Sequence, residues 1–183
     1  MQKSRHRMES ERLRAIYELT STLTATLNYQ RVLDTVLDLS LSAVNPDQDT
    51  QPNLKMVSAV LLFSPEDKLE VGSARRFTPA DVRTVLPGKS GAIAEAMNSG
   101  EPVLIDDISK DPEINYFVSF RQCSQVYVFP LRSGFNVYGV LVFGHPDVGY
   151  FTHDRVEVLD ILGRQSVIAI ANARLYQELV DER

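Results

Sequence analysis

The chain has 183 residues, 44% apolar and 23% charged, with 19 basic against 24 acidic side chains and a net charge of −5 at pH 7; this suits one globular domain with appendages and excludes disordered, collagen-like and low-complexity chains. A single cysteine excludes an intrachain disulfide, a zinc site built on several thiolates and paired oxidation of two thiols in one chain, and its natural setting is a reducing compartment, so a cytoplasmic location is expected. No apolar run approaches the ~18 residues of a membrane helix, the longest being about eight around Met56 to Phe63, and Met1 to Glu9 is too polar for a signal peptide.

Lys3, Arg5, Arg7, Arg12 and Arg14 stand against Glu9 and Glu11 in the first fourteen residues, which leaves −8 on the remainder. A body so charged repels nucleic acid, and the basic start lacks interleaved aromatics, so it reads as a solvated helix end. From Glu9 to Leu27, apolar residues fall at Leu13, Ile16, Leu23 and Leu27 with Thr20 in the gap, the three-then-four spacing of a coiled-coil seam. Ser21, Thr22, Thr24 and Thr26 lower the helix propensity, so this stretch needs a partner helix. Asn28 reads as an N-cap that restarts a helix through Val32, Leu33, Val36, Leu37, Leu39 and Leu41, a stripe wide enough to lie on a sheet, ending near Val44.

Residues 45–55 read as a loop. Met56 to Phe63 and Leu69 to Arg76 follow as a hairpin about Ser64-Pro65-Glu66-Asp67. Thr78-Pro79-Ala80-Asp81 has cap, proline and acid in helix-start order, predicting a short helix to about Leu86. Pro87-Gly88 stops it, Ser90 caps a further helix ending at Gly100, and Pro102 to Ile105 form a short strand. Asp106 to Gln122 is irregular and rich in aromatic and polar residues, as binding loops often are. Gln125 to Leu131 and Val137 to Phe143 form a second hairpin, expected at the centre of the sheet. Thr152 caps a last helix, with Asp154 in its first turn, and Val156 to Arg183 would span about 42 Å if helical throughout. Its first half is apolar nearly all round, so that one side can cover the sheet while the other meets a second helix.

This order resembles a GAF domain. Thr24 to Leu33 resembles the family's opening helix, Gly88 to Ala94 with Gly100 to Asp107 and Asp111-Pro112 its middle signature, and Val128-Phe129-Pro130-Leu131 with Tyr138-Gly139-Val140-Leu141 its last two strands. Ile168 to Tyr176 is similar to the exit helix by which such domains join a histidine kinase, a cyclase or another sensory module. The related PAS domain has its elements in a different order. The resemblance implies an α+β fold, a GAF/PAS-like central antiparallel sheet with flanking N- and C-terminal helices. It divides the chain into a signalling, coiled-coil helix over 1–28, the GAF domain over 29–170, and an exit helix over 171–183 toward an output domain. The run at Val180 to Arg183 ends in mid-seam, suggesting that the chain continues.

The function implied is sensory: a small molecule binds in a pocket of sheet and loop, and the signal passes through the helices of a homodimer to an output domain such as a histidine kinase. Candidate ligand contacts are Arg76, Asp107, Tyr116, Phe117, Arg121, Tyr127, Phe129 and Phe143, with Arg132 and Lys89 as further charge partners for a small anion. Candidate dimer contacts are Leu13, Ile16, Leu23, Leu27, Leu162, Ala173, Tyr176 and Val180. A second reading is a ligand-free dimerising spacer whose core is filled by Phe117, Phe120, Tyr127, Phe129 and Phe143. A third gives Cys123 a redox or chromophore role. Relatives that bind a bilin carry the cysteine beside histidine, whereas Ser124 follows here, and relatives that reduce methionine sulfoxide need two cysteines, so a buried structural thiol is the simpler assignment. The cyclic-nucleotide pattern of the family cannot be laid onto these residues.

Asp106 and Asp107 diverge on a strand end and make a poor acid/base pair, but can cap the next turn. His145 and His153 are too far apart for a local metal pair, so no metal site is expected. Gly88, Gly91 and Gly100 lack the ending of a phosphate loop; Lys89-Ser90 starts a helix instead. No catalysis, cofactor or nucleic-acid partner is expected.

Overall fold

The apolar runs become strands in a computed structural model that describes residues 2–45 and 55–182, apart from the side chains of residues 2 and 20–27. They are Val57–Phe63 (β1), Leu69–Arg75 (β2), Val85–Leu86 (β3), Val103–Ile105 (β4), Gln125–Ser133 (β5) and Asn136–His145 (β6). All pairings are antiparallel, in the order β3-β2-β1-β6-β5-β4. The central pair is thus β1 with β6, and β5 lies one strand further out, a shift from the expectation that both strands of the second hairpin would be central.

Side chains alternate between the two sheet faces. On one face Val57, Ala59, Leu61, Val126, Val128, Val140 and Val142 meet the helices Pro79–Val82 (α2), Gly91–Ser99 (α3) and Val118–Arg121 (α4), and the 3-10 turns Ile108–Lys110 and Ile114–Tyr116. On the other face Val60, Leu62, Tyr127, Phe129, Leu131, Leu141 and Phe143 meet two long helices that begin and end the chain. Because both faces are covered, the strands read as apolar runs rather than clean alternations.

The first long helix, α1, runs from Gln2 to Val44 without interruption, so Asn28 caps nothing. The break expected there is a change of face: the exposed seam containing Leu13 gives way to Leu33, Val36, Leu37, Ser40 and Val44, which are buried. Leu39, expected on the sheet, lies exposed. Leu23 and Leu27 are among the residues whose side chains are outside the description, and most of the expected loop, 46–54, lies outside the described residues. The short helix after Thr78 stops at Val82, and Val85–Leu86, expected as its end, pairs with β2 instead. Thr78 accepts from the N–H of Asp81 (3.1 Å), as its cap position requires. Ser90 precedes α3, but its hydroxyl donates to Glu113 (3.2 Å) instead of accepting from the helix.

The last helix, α5 (His153–Asp181), starts at Thr152, whose hydroxyl accepts from Arg155 N–H (3.4 Å). It packs against α1 antiparallel: Arg155 Nε donates to the Val44 carbonyl (3.4 Å) and Arg174 reaches the Tyr29 hydroxyl (3.5 Å). The N-terminal arm of α1 and the C-terminal end of α5 therefore leave the domain at the same end. Residues 3–19 of that arm are exposed. The close seating of α5 on the sheet rests on Gly163, where a Cβ would stand 2.5 Å from the Phe129 ring. From the sheet, Arg75 holds Asp38 of α1 with two hydrogen bonds (2.8 and 3.1 Å), and its guanidinium keeps that carboxyl below the usual range.

Candidate functional site

The irregular segment 106–122 crosses the sheet face opposite α1 and α5, and three buried carboxylates hold it there. Asp111 accepts from the N–H groups of Ala92 (2.9 Å), Glu113 (3.0 Å) and Ile114 (2.8 Å), so it caps α3 and turns the loop at once. Glu113 accepts from Gly88 (2.6 Å), Lys89 (2.9 Å) and Ser90 (2.8 Å). From α2, Asp81 accepts from the N–H groups of Val118 (3.0 Å) and Ser119 (2.9 Å) and from the Ser119 hydroxyl (2.5 Å). Burial works against the charge on Asp81, but the bonds from Ser119, Val118 and Thr78 outweigh it and hold its carboxyl below the usual range. Charged acceptors matched by several N–H donors are the arrangement in which a buried anion is tolerable. The loop is thereby tied to both α2 and α3.

Beneath it lies an aromatic layer. Phe77, Phe117 and Phe120 meet with ring centroids 5.1, 5.4 and 5.8 Å apart, and Phe117 and Phe120 are fully buried. The layer rests directly on the sheet: at Gly144 of β6 a Cβ would stand 2.8 Å from Phe120 and 2.7 Å from the Cys123 sulfur. Side chains of the domain itself occupy the space between loop and sheet at this point.

The eight candidate ligand contacts do not converge. Phe117 belongs to the aromatic layer, while Tyr127, Phe129 and Phe143 are buried on the opposite face against α1 and α5. The Tyr127 hydroxyl donates to Asp160 of α5; burial, reinforced by that carboxylate, pushes the phenol's pKa up. Tyr116 is exposed, Arg121 Nε donates to the Asn115 carbonyl (2.7 Å), and Arg76 is exposed at the end of β2. Asp107 caps the following 3-10 turn by accepting from Ser109 N–H (3.1 Å), the alternative role expected for it. Arg132 donates to the Met97 and Asn98 carbonyls at the end of α3, and Lys89 pairs with Asp67 (2.9 Å). Strand geometry sends successive residues of β5 to opposite faces, but with both faces apolar nothing local marked which side the loop would cover.

Cys123 is buried beside the aromatic layer, and burial pushes its pKa up to about 11. It is therefore held as the unreactive thiol at neutral pH. In the folded chain, labelling by a maleimide or an aromatic disulfide is expected to be at least about tenfold slower than in urea; equal rates in the two states would contradict this burial.

His145, at the end of β6, stacks on Tyr150 (centroids 3.6 Å apart, 5° between planes), whose ring also meets the Arg155 guanidinium, 4.2 Å from its centre, and the edge of Phe151 (5.3 Å). Tyr150 donates to Asn45 (3.1 Å), so this stack joins β6, the start of α5 and the end of α1. The Asp147 N–H donates to His145 Nδ1 (3.0 Å), which requires that nitrogen to be unprotonated. Burial lowers the imidazole pKa; Lys55 and Arg155 add to this, and Asp147 opposes it. The unfolded chain thus binds the proton more readily than the folded one, so this contribution is complete above pH 6.5 and is lost as pH falls through the lower folded value. The urea midpoint is expected to drop between pH 7 and pH 5, and a His145→Asn chain to lack that part of the drop. Among the described residues no group of three or more His, Cys, Asp or Glu side chains is placed to hold a metal.

Of the expected dimer contacts, Leu13, Ile16 and Tyr176 are exposed, while Leu162, Ala173 and Val180 are half-buried. A groove of about 390 Å³ runs between the two long helices, its lining including Val32, Thr35, Leu39, Leu162, Gln165 and Ala169. Beside Tyr176, the exposed apolar side chains of α5 are Ile161, Ile168, Leu175 and Leu179, which form another stripe. Its signal in the sequence was the seven-residue spacing of the first three.

A family model described as GAF domain matches residues 27–171. The chain is 28% identical over 182 residues to an uncharacterized sensor-like histidine kinase of Chloroflexus aurantiacus, covering 98% of this chain and 28% of that protein. It thus spans little more than a quarter of that curated relative. Among solved structures it is similar to the GAF domain of a two-component sensor histidine kinase from Bacillus halodurans, with a TM-score of 0.61 at 17% identity, covering 79% of this chain and 97% of that one. It is also similar in fold to a type II free methionine-R-sulfoxide reductase from Thermoplasma acidophilum, with a TM-score of 0.53 at 12% identity over 77% and 96% of the two chains.

Proposed function

This chain belongs to the GAF domain family, and from that premise we propose that it is a dimeric regulatory module of a sensor histidine kinase-like protein, joining two copies through α1 and α5 and passing changes in their packing to an attached output domain. The observation that carries this reading is the common exit of the α1 arm and the α5 end, both with apolar side chains left in water. An arm as exposed as residues 3–19 is marginal as an isolated helix. A second arm beside it, in a parallel arrangement, supplies the missing contact.

Of the two ways such a module can work, the self-filled one agrees better with the geometry. A small molecule between loop and sheet would have to displace Phe117 or Phe120 and loosen the carboxylate ties to α2 and α3. The module then acts as a dimerising relay, without a reaction of its own, and a cytoplasmic setting agrees with its one free thiol.

Sedimentation equilibrium and native mass spectrometry on the chain purified without added ligand test the proposal. The expected result is a dimer at twice the chain mass. A monomer at ~200 µM, far above the Kd of a stable dimer, would reject the helix-mediated relay, and a retained small molecule would reject the self-filled interior.

A further inference from the structure

Helix α5 carries a second heptad phase that its own domain does not use. Leu159, Gly163, Ser166, Val167 and Ile170 are its buried residues. On the opposite side Ile161, Ile168 and Leu175 recur every seven residues, each between 50% and 57% exposed. Gln165, Asn172 and Leu179 follow each of them by four. This is the spacing of a helix seam in which the first three take the d positions and the others the a positions. None of the six is charged; Arg164 and Glu178 stand just outside. Isoleucine at d suits a bundle wider than two strands, and α1, lying alongside with the groove between, supplies the additional helix in each copy.

The occupant that fits is a second copy of this chain. A heptad stripe is complementary to itself when two helices run parallel, since each layer then meets the same layer. Parallel pairing also sets the two α1 arms side by side, because each arm leaves at the same end as α5, whereas antiparallel pairing would send them apart. The middle one of the three a layers is Asn172, which is exposed. A primary amide carries both donors and an acceptor and so can satisfy its own copy across a two-fold axis, while a carboxylate or an ammonium would repel it.

Building on the dimer reading above, we infer that two copies pack α5 in parallel along this stripe and that Asn172 meets Asn172 of the partner subunit at its centre, fixing the register at some cost in affinity. The test uses the 183-residue chain carrying Asn172→Cys, treated with a short bifunctional maleimide. Asn98→Cys, exposed on the other side of the sheet, is the control, and the unaltered chain with its buried Cys123 is the blank. Cross-linking through position 172 is expected to be at least about tenfold faster than through position 98. Asn172→Leu is expected to tighten the dimer about tenfold or more, since a buried amide at an a position trades stability for register. A dimer in which position 172 cross-links no faster than position 98, or in which Asn172→Leu binds no tighter, overturns this inference and leaves the dimeric module standing. A monomer by sedimentation overturns both.

Discussion

Replacing Gly139 by alanine is expected to cost about 4 kcal/mol or more, most of the stability of an ordinary domain, and to leave little soluble folded protein. Gly139 lies in β6 at φ 151° and pairs with Leu62 of β1 on one side and Leu131 of β5 on the other. A Cβ there would stand 1.9 Å from the Leu61 carbonyl oxygen and 2.9 Å from its carbon and from Leu62 Cα. These are backbone atoms of the central strand pair, so no rotamer change relieves the clash; β1 and β6 would have to part. The backbone angle adds strain of its own, because side-chain-bearing residues rarely adopt it. Gly134 and Gly149 also have positive φ but nothing within 4 Å of a Cβ, so their alanine variants should lose only about 1 kcal/mol. Urea unfolding followed by circular dichroism separates these cases. A Gly139→Ala chain within about 1 kcal/mol of the original would refute the packing described at the β1–β6 contact.

Elements set by local chemistry were legible in the sequence. Both hairpins, the Thr78 and Thr152 caps and the Asp107 turn each depend on residues within a few positions of one another. What sequence reasoning missed depends on partners far along the chain. Asn28 has the chemistry of a cap, yet the helix runs through it, because Leu33 and Leu37 are drawn onto the sheet without any break in the backbone. Val85 and Leu86 are too short a run to signal a strand and pair only because β2 lies beside them. The aromatic candidates for a pocket were divided by the period of two, with Phe117 on one face and Tyr127, Phe129 and Phe143 on the other. The outer stripe of α5 was masked for a different reason: where a helix is apolar nearly all round, a seven-residue spacing does not stand out until its neighbours are known.

The carboxylates were the least legible feature, since their partners are backbone N–H groups that any residue supplies. Asp111 bonds Ala92, nineteen positions earlier, and Asp81 bonds residues 37 and 38 positions later. In a loop noted for its polar content, such residues invite a binding role. Here their charges are consumed inside the fold, which is why a polar loop can lie closed over an aromatic layer.

Glu113→Ala is accordingly the second large effect expected, a loss of about 3 kcal/mol or more. The side chain is buried and touches no other charged group in the hydrogen bonds it makes; its partners are Gly88, Lys89 and Ser90. Alanine leaves those donors without an acceptor at the start of α3. Glutamine is no remedy, because Oε1 accepts from Gly88 while Oε2 accepts from Lys89 and Ser90, and an amide offers only one oxygen, turning its NH₂ toward a donor. Both variants should therefore fall well below the original chain in urea, with glutamine at best intermediate. Amide exchange at residues 88–90 should rise by more than exchange in β1 and β6, since the loop opens before the sheet does. If Glu113→Ala instead costs less than about 1 kcal/mol, typical of a solvated surface position, the loop is not held shut by this residue. The space beneath it would then be open to exchange with solvent, and small-molecule sensing between loop and sheet would become the better account of the domain.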